Sequence, residues 1–94
     1  MNELPPPPAA NSARDATEIL RIWLADGRQH VTIAGPIWKD PAAWGLLLVD
    51  LAKHVANVYA QTDGQDPERA LARIKLGFDA EWTHETDRPA GYIP

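Results

Sequence analysis

The sequence predicts a small α+β domain in which a β-hairpin is followed by two α-helices, in the order ββαα. Two observations predict it. Two short β-rich runs are joined by Asp26-Gly27, and two runs with helical apolar spacing each begin at an Asp-Pro pair. We place this single domain at residues 17–83, between a disordered, proline-rich tail at 1–16 and a C-terminal tail at 84–94.

Size and composition exclude several classes of protein. Ninety-four residues suffice for one domain, and an apolar fraction of 45% is typical of globular chains. A net charge of -4 has the wrong sign for binding nucleic acid through its phosphates. The absence of cysteine excludes disulfides and thiolate chemistry. No stretch resembles a signal peptide or a span of about 18 apolar residues. We therefore expect a cytoplasmic protein, with neither nucleic acid nor a membrane as its partner.

The two ends of the chain lack any hydrophobic period. Prolines 5–8 cannot donate backbone hydrogen bonds and favour an extended polyproline II conformation. A solvated tail is the simplest interpretation, and a ligand for a peptide-binding module is the alternative. Residues 84–94 are also expected to form a tail, in which only Tyr92 and Ile93 offer anchoring side chains.

The dipeptide Asp26-Gly27 readily adopts the two positive φ values of a type I′ turn, which predicts a two-residue hairpin loop. A loop of this length fixes the pairing of the two strands. It pairs Leu24 with Gln29, Trp23 with His30, Ile22 with Val31, Arg21 with Thr32 and Leu20 with Ile33.

The predicted pairing gives the hairpin two different faces. The face expected to lie on the core carries Leu20, Ile22, Leu24, Val31 and Ile33, and the other carries Ile19, Arg21, Trp23, Arg28, His30 and Thr32. Aromatic and arginine side chains are favoured anchors in interfaces, so Arg21, Trp23 and His30 form a predicted ligand or partner face. Alternatively, this face is the dimer contact itself, or a tail covers it.

Asp40-Pro41 and Asp66-Pro67 predict two helix starts, at about 41–61 and 67–83, because aspartate caps free amides and proline suits the first helical position. Helical spacing predicts two core stripes: Trp44, Leu47, Leu48, Leu51, Val55, Val58 and Tyr59, then Leu71, Ile74, Phe78 and Trp82. A polar face carries Asp50, Lys53, His54, Asn57 and Gln61, and the apolar residues Leu46, Val49 and Leu76 lie outside the stripes.

Asp50 and His54 are spaced four apart, which is the geometry of a base with its orienting carboxylate and also of an ordinary surface pair. No motif fixes a nucleophile beside them, so we assign no catalytic residue and include both in the candidate ligand or partner face. A metal at His54 would need His30 or His84, without any recognised ligand spacing. We predict no metal and no cofactor.

Surplus apolar surface predicts a homodimer with a shared or packed sheet. Ile19, Trp23, Leu46, Val49 and Leu76 all lie outside the predicted core. A lone hairpin has two open edges, and pairing across a two-fold axis would give a four-stranded sheet. The alternative is that the helices cover both hairpin faces within one subunit.

The segments RIW, DPAAWG, LAKHVANVYAQ and RIKLGFDAEW follow one another between Glu18 and Trp82. In this order they resemble a family of short bacterial proteins catalogued as domain of unknown function 5076, and both tails lie outside the resemblance. The resemblance implies no reaction, cofactor or catalytic residue. It supports treating the hairpin and the helices as one unit.

These observations predict a non-enzymatic, homodimeric binding or accessory module with a protein or small-molecule partner. One alternative is a small enzyme that uses His54 with Asp50, or His30, as acid or base. Another is a regulatory protein that meets nucleic acid through scattered arginines, namely Arg14, Arg21, Arg28 and Arg69.

Overall fold

The computed structural model of the chain describes residues 2–83 and 90–92. Its elements in chain order are α1 (Pro8–Ser12), β1 (Leu20–Ala25), β2 (Arg28–Ile33), α2 (Ala42–Asp63), α3 (Pro67–Thr83) and β3 (Ala90–Tyr92). The predicted α+β class, a hairpin followed by two helices, is confirmed. Within the described part of the chain, no helix combines the length and the apolar content needed to cross a membrane.

The described chain divides into two compact units. The first unit extends to Ile37 and includes β3, so it holds the sheet and the N-terminal segment. The second unit begins at Trp38 and holds α2 and α3.

The hairpin has the predicted turn and register. Asp26 and Gly27 have φ values of 54° and 70°, the positive values that a type I′ turn requires. The strands pair Leu20 with Ile33, Arg21 with Thr32, Ile22 with Val31, Trp23 with His30, Leu24 with Gln29 and Ala25 with Arg28. The turn chemistry of two residues therefore determines the alignment of both strands.

A third strand, β3, lies within the segment that was predicted to be a C-terminal tail. It runs parallel to β2 and places Ala90, Gly91 and Tyr92 beside residues 30–32. The sheet order is β1-β2-β3, so β1 is an edge strand. A strand this short forms only because it hydrogen-bonds to a distant segment of the chain. Its own sequence carries no local pattern that would predict the contact.

The N-terminal segment contains a short helix that the sequence did not predict. Pro7 has the polyproline II angles φ -65° and ψ 153°, as expected, but Pro8–Ser12 form a single helical turn. Proline fits this first helical position because the N–H that it lacks would have no partner there.

Both long helices begin where the Asp-Pro pairs predict. The Asp40 carboxylate accepts a hydrogen bond of 3.0 Å from the Ala42 N–H, and the Asp66 carboxylate accepts one of 3.4 Å from the Glu68 N–H. Gly64 closes α2 in the left-handed conformation, at φ 68°, which glycine adopts without steric cost. The connector between the helices therefore begins and ends at residues that favour helix ends, Gly64 after α2 and Asp66 before α3.

The predicted core face of the hairpin is wrong for two residues. Ile22 and Leu24 are 47% and 84% exposed. On the opposite face Arg21, Trp23 and His30 are half-buried. The other three residues of the predicted core face, Leu20, Val31 and Ile33, are also half-buried, so both faces of the hairpin are partly covered.

The helices α2 and α3 pack against each other through small side chains. Among the described residues the buried side chains are Ala56, at 2% exposed, and Ala70, at 5%. Ala52 and Ala60, each four residues from Ala56, are half-buried on the same side of α2. This alanine side lies about 100° around the helix from Val55, which belongs to the predicted core stripe.

The predicted core stripes are wrong for seven of their eleven residues, which are exposed, whereas Leu47 is among the four that are half-buried. Five apolar residues of α2 are 38–55% exposed: Leu48, Leu51, Val55, Val58 and Tyr59. Trp44 is half-buried and meets Trp38 edge-to-face, with ring centroids 5.2 Å apart. In α3, Phe78 and Trp82 stack at 5.4 Å and are exposed, whereas Leu71 and Ile74 are half-buried. The exposed positions predicted for Leu46, Val49 and Leu76 are confirmed.

Candidate binding site

Arg21 is the centre of an ion-pair cluster on the half-buried face of the sheet. Its Nη1 donates to Glu3 Oε2 and its Nη2 donates to Glu18 Oε1, each at 2.8 Å. Glu18 lies three residues before Arg21, whereas Glu3 approaches from the N-terminal segment, eighteen residues away. The structure thus brings Glu3 onto the predicted ligand face, while residues 2–18 remain exposed.

The two carboxylates favour the charged form of Arg21. The hydrogen bond and the charge of Glu18, with the charge of Glu3, raise the pKa of the Arg21 guanidinium above its usual value. The side chains of this cluster remain 41–63% exposed, so water and salt screen their attraction. The Arg21 guanidinium therefore stays charged, and its ion pairs are open to competition from ions in solution.

A half-open depression of about 430 Å³ lies beside Arg21. Its walls combine apolar and polar groups and are formed by Glu18, Ile19, Leu20, Arg21, Thr32 and Ala34. Sequence reasoning identified Arg21 but missed Glu3, Glu18 and the depression. The hairpin register, which aligns Arg21 with Thr32, is the signal that places two of the polar groups together.

Trp23 and His30 face each other across the two strands, as predicted. Both are half-buried, and His30 Nε2 donates to the Ala25 carbonyl oxygen at 3.2 Å, since a carbonyl only accepts. This bond orients the imidazole toward the hairpin turn. Trp23 and His30 therefore form a relatively fixed part of the sheet face that also carries Arg21.

Asp50 and His54 lie in the other compact unit, on α2. The structure confirms that they meet, with His54 Nε2 3.3 Å from Asp50 Oδ2. Their side chains are 75% and 72% exposed, so water has free access to both. Within residues 2–83 and 90–92, no group of three His, Asp or Glu side chains is arranged to hold a metal ion. His84 lies outside the described residues.

A second candidate surface is the exposed apolar row of α2, which we call the α2 stripe: Leu48, Leu51, Val55, Val58 and Tyr59. The first four are separated by three, four and three residues. That alternation is the spacing with which one helix packs along another. The sequence predicted this row but assigned it to the interior of the subunit.

The fold and these two surfaces define a small α+β protein built from a sheet unit and a helical hairpin. Its chain belongs to the family described as "Domain of unknown function (DUF5076)", whose model matches residues 3–86. The resemblance to that family inferred from the sequence is thereby confirmed, but its extent was underestimated, because the match also includes most of the N-terminal segment that was placed outside it.

Among solved structures, a similar one matches nearly the whole chain, with 37% sequence identity and a TM-score of 0.75. The match covers 96% of this chain and 92% of the other. That structure is described as a "putative pyruvate dehydrogenase from the photosynthetic bacterium Rhodopseudomonas palustrus CGA009". The comparison with curated proteins gave no match.

Proposed function

We propose that this protein is a non-enzymatic, homodimeric binding or accessory module. The α2 stripe binds a second copy of the chain, and the sheet face with Arg21, Trp23 and His30 binds the ligand. The observation that carries the proposal is the exposure of the five α2-stripe side chains, while the buried side chains among the described residues are two alanines.

Burial of the α2 stripe would supply the driving force for association. Fully burying an exposed leucine or valine side chain stabilises by about 1.5–3 kcal/mol. The four aliphatic residues of the α2 stripe are only 38–55% exposed, so each would contribute about half of that value. Association of this size offsets the loss of translational and rotational freedom. A two-fold axis lets one self-complementary surface serve both copies, which is the commonest symmetry of soluble oligomers.

The edge of β1 offers a different dimer contact, the shared sheet expected from the sequence. It presents free backbone groups and two exposed apolar side chains, Ile22 and Leu24. We favour the α2 stripe because it has more apolar side chains at a regular helical spacing. In a dimer through this stripe, His54 borders the contact, since it lies about 60° from Leu51 around the helix. The Asp50–His54 pair then belongs to the polar rim.

A small enzyme is the second candidate function. Two observations favour it: the 3.3 Å contact between Asp50 and His54, and the description of a similar structure as a "putative pyruvate dehydrogenase". A general base is most effective in a concave, partly dehydrated site that alters its pKa. The high exposure of both side chains is the reason we rank this function second.

Sedimentation equilibrium of the full chain tests the proposal. We expect a mass of twice 10.4 kDa at micromolar concentrations. Trp23→Ala should keep that mass, because Trp23 lies on the ligand face and in a different compact unit from the α2 stripe. A wild-type chain that stays at 10.4 kDa throughout would overturn the dimer. A Trp23→Ala chain that alone becomes monomeric would move the dimer contact to the sheet.

A further inference from the structure

We propose that the depression beside Arg21 binds a small monocarboxylate with an apolar body, and that Glu3 occupies the carboxylate position in the free protein. This inference rests on the proposed function, because that function assigns the sheet face to ligand binding. It adds the chemical class of the ligand and an internal competitor for the site.

The geometry of Arg21 supports a carboxylate ligand. A guanidinium presents five N–H donors in one plane, so it can bind two carboxylates at the same time. In this structure the two terminal nitrogens of Arg21 bind different carboxylates, Nη1 that of Glu3 and Nη2 that of Glu18. Glu18 is held near by the local chain, whereas Glu3 is brought in by a segment eighteen residues away. The carboxylate of Glu3 therefore marks a position that a separate carboxylate can take.

The depression provides room for the rest of such a ligand. Its volume of about 430 Å³ lies within the usual range of small-molecule sites. Its lining residues on the Arg21 side of the sheet include apolar Ile19 and polar Thr32, which pairs with Arg21 across the strands. A short hydrocarbon chain attached to a carboxylate matches this combination.

The charges of the cluster select a monoanion. Replacing Glu3 by a ligand carboxylate leaves one guanidinium beside two carboxylates, so the local charge does not change. A phosphate dianion would add negative charge close to Glu18 and is disfavoured. A neutral amide of the same shape would lack the charge-assisted hydrogen bonds.

Glu3 can leave the site without disrupting a core. Its side chain is 59% exposed, and its described neighbours Asn2, Leu4 and the prolines that follow are exposed as well. The ion pair is a surface contact that water and salt weaken. Release of the N-terminal segment therefore exposes Arg21 while the hairpin remains paired.

Titration of the full chain with hexanoate, followed by amide NMR shifts, tests this inference. We expect saturable shifts at Glu18–Arg21 and Thr32, and no saturable shifts with hexanamide or inorganic phosphate at the same ionic strength. Glu3→Gln should bind hexanoate about threefold to tenfold more tightly, because the competing carboxylate is gone. Glu68→Gln makes the same chemical change in the other compact unit and should bind as the wild type does.

Two arginine variants complete the test. Arg21→Gln should abolish saturable binding. Arg21→Lys keeps the positive charge but removes the planar guanidinium, so it should weaken binding. Far-ultraviolet circular dichroism checks that both variants remain folded. Three results would overturn the inference. The first is that neither the wild type nor Glu3→Gln binds hexanoate, and the second is that both bind hexanoate with the same affinity. The third is that the wild type binds hexanamide as tightly as hexanoate. Measuring the oligomeric mass distinguishes failure of this inference from failure of the proposed dimer. A dimer that does not bind hexanoate refutes only the carboxylate site. A monomer that binds hexanoate refutes only the dimer.

Discussion

Val55→Glu is expected to convert the dimer into a folded monomer. Val55 lies at the centre of the α2 stripe and is 38% exposed in the single chain. A dimer through this stripe would bury two like charges without partners, at a cost of about 3 kcal/mol or more. Each 1.4 kcal/mol changes an equilibrium constant tenfold, so the dissociation constant should rise about a hundredfold. Sedimentation equilibrium and helical circular dichroism measure mass and folding together.

Asn57→Glu is the matched control for this change. It adds the same side chain and the same charge to α2, two residues later and about 160° around the helix from Val55. The control should remain a dimer of unchanged helix content. The monomer of Val55→Glu should also keep its helices, because Val55 is already exposed in one chain and glutamate favours helix more than valine. Dimers of equal affinity in both variants would place the contact elsewhere.

Ala56→Leu is expected to lower the free energy of unfolding by about 1–3 kcal/mol. Ala56 is 2% exposed on the side of α2 that packs against α3, so the extra carbons of leucine have no free volume to enter. The helices must then separate or the side chain must leave its preferred rotamer. Urea denaturation at one fixed protein concentration measures the loss, because dimerisation also contributes to stability.

Ala72→Leu is the control for over-packing. Ala72 is an exposed position of α3, and leucine and alanine have similar helix propensities, so its effect should stay within about 0.5 kcal/mol. The dimer mass of Ala56→Leu should not change, since Ala56 lies away from the centre of the α2 stripe. Equal stabilities of the two variants would show that the contact between α2 and α3 is loose at Ala56.

The elements of this fold were predictable where a few residues determine local geometry. Asp26-Gly27 set the hairpin register, and the two Asp-Pro pairs set both helix starts. These features depend on turn and capping chemistry within four residues of chain. The strand β3 was not predictable in this way, because its three residues are ordered by pairing with a distant strand.

The side chosen for packing was harder to predict than the elements themselves. The large apolar residues of α2 form a clear stripe, yet the buried side chain of α2 is Ala56, and Ala52 and Ala60 on the same side are half-buried. Small side chains let two helices approach closely, so the alanine spacing of four was the available signal. A stripe of large apolar residues indicates that burial of that surface is favourable. It does not show whether the surface is buried within the same chain or against another one.

The candidate site was predictable in part. The hairpin register placed Arg21, Trp23 and His30 together on one face. The pairing of Arg21 with Glu3 could not be deduced, because no periodicity links a strand to a proline-rich segment eighteen residues earlier. The depression beside Arg21 depends on that same tertiary arrangement.

Cysteine cross-linking along α2 tests the central claim, that the α2 stripe is the surface between two copies, most directly. The chain has no native cysteine, so each single substitution from position 47 to 61 reports only on its own location. Mild oxidation should link copies with a period of three to four residues, peaking among Leu48, Leu51, Val55 and Val58 near the two-fold axis. Positions 53 and 57 should stay unlinked. Efficient linkage at 53 and 57 with none along the stripe would contradict the account.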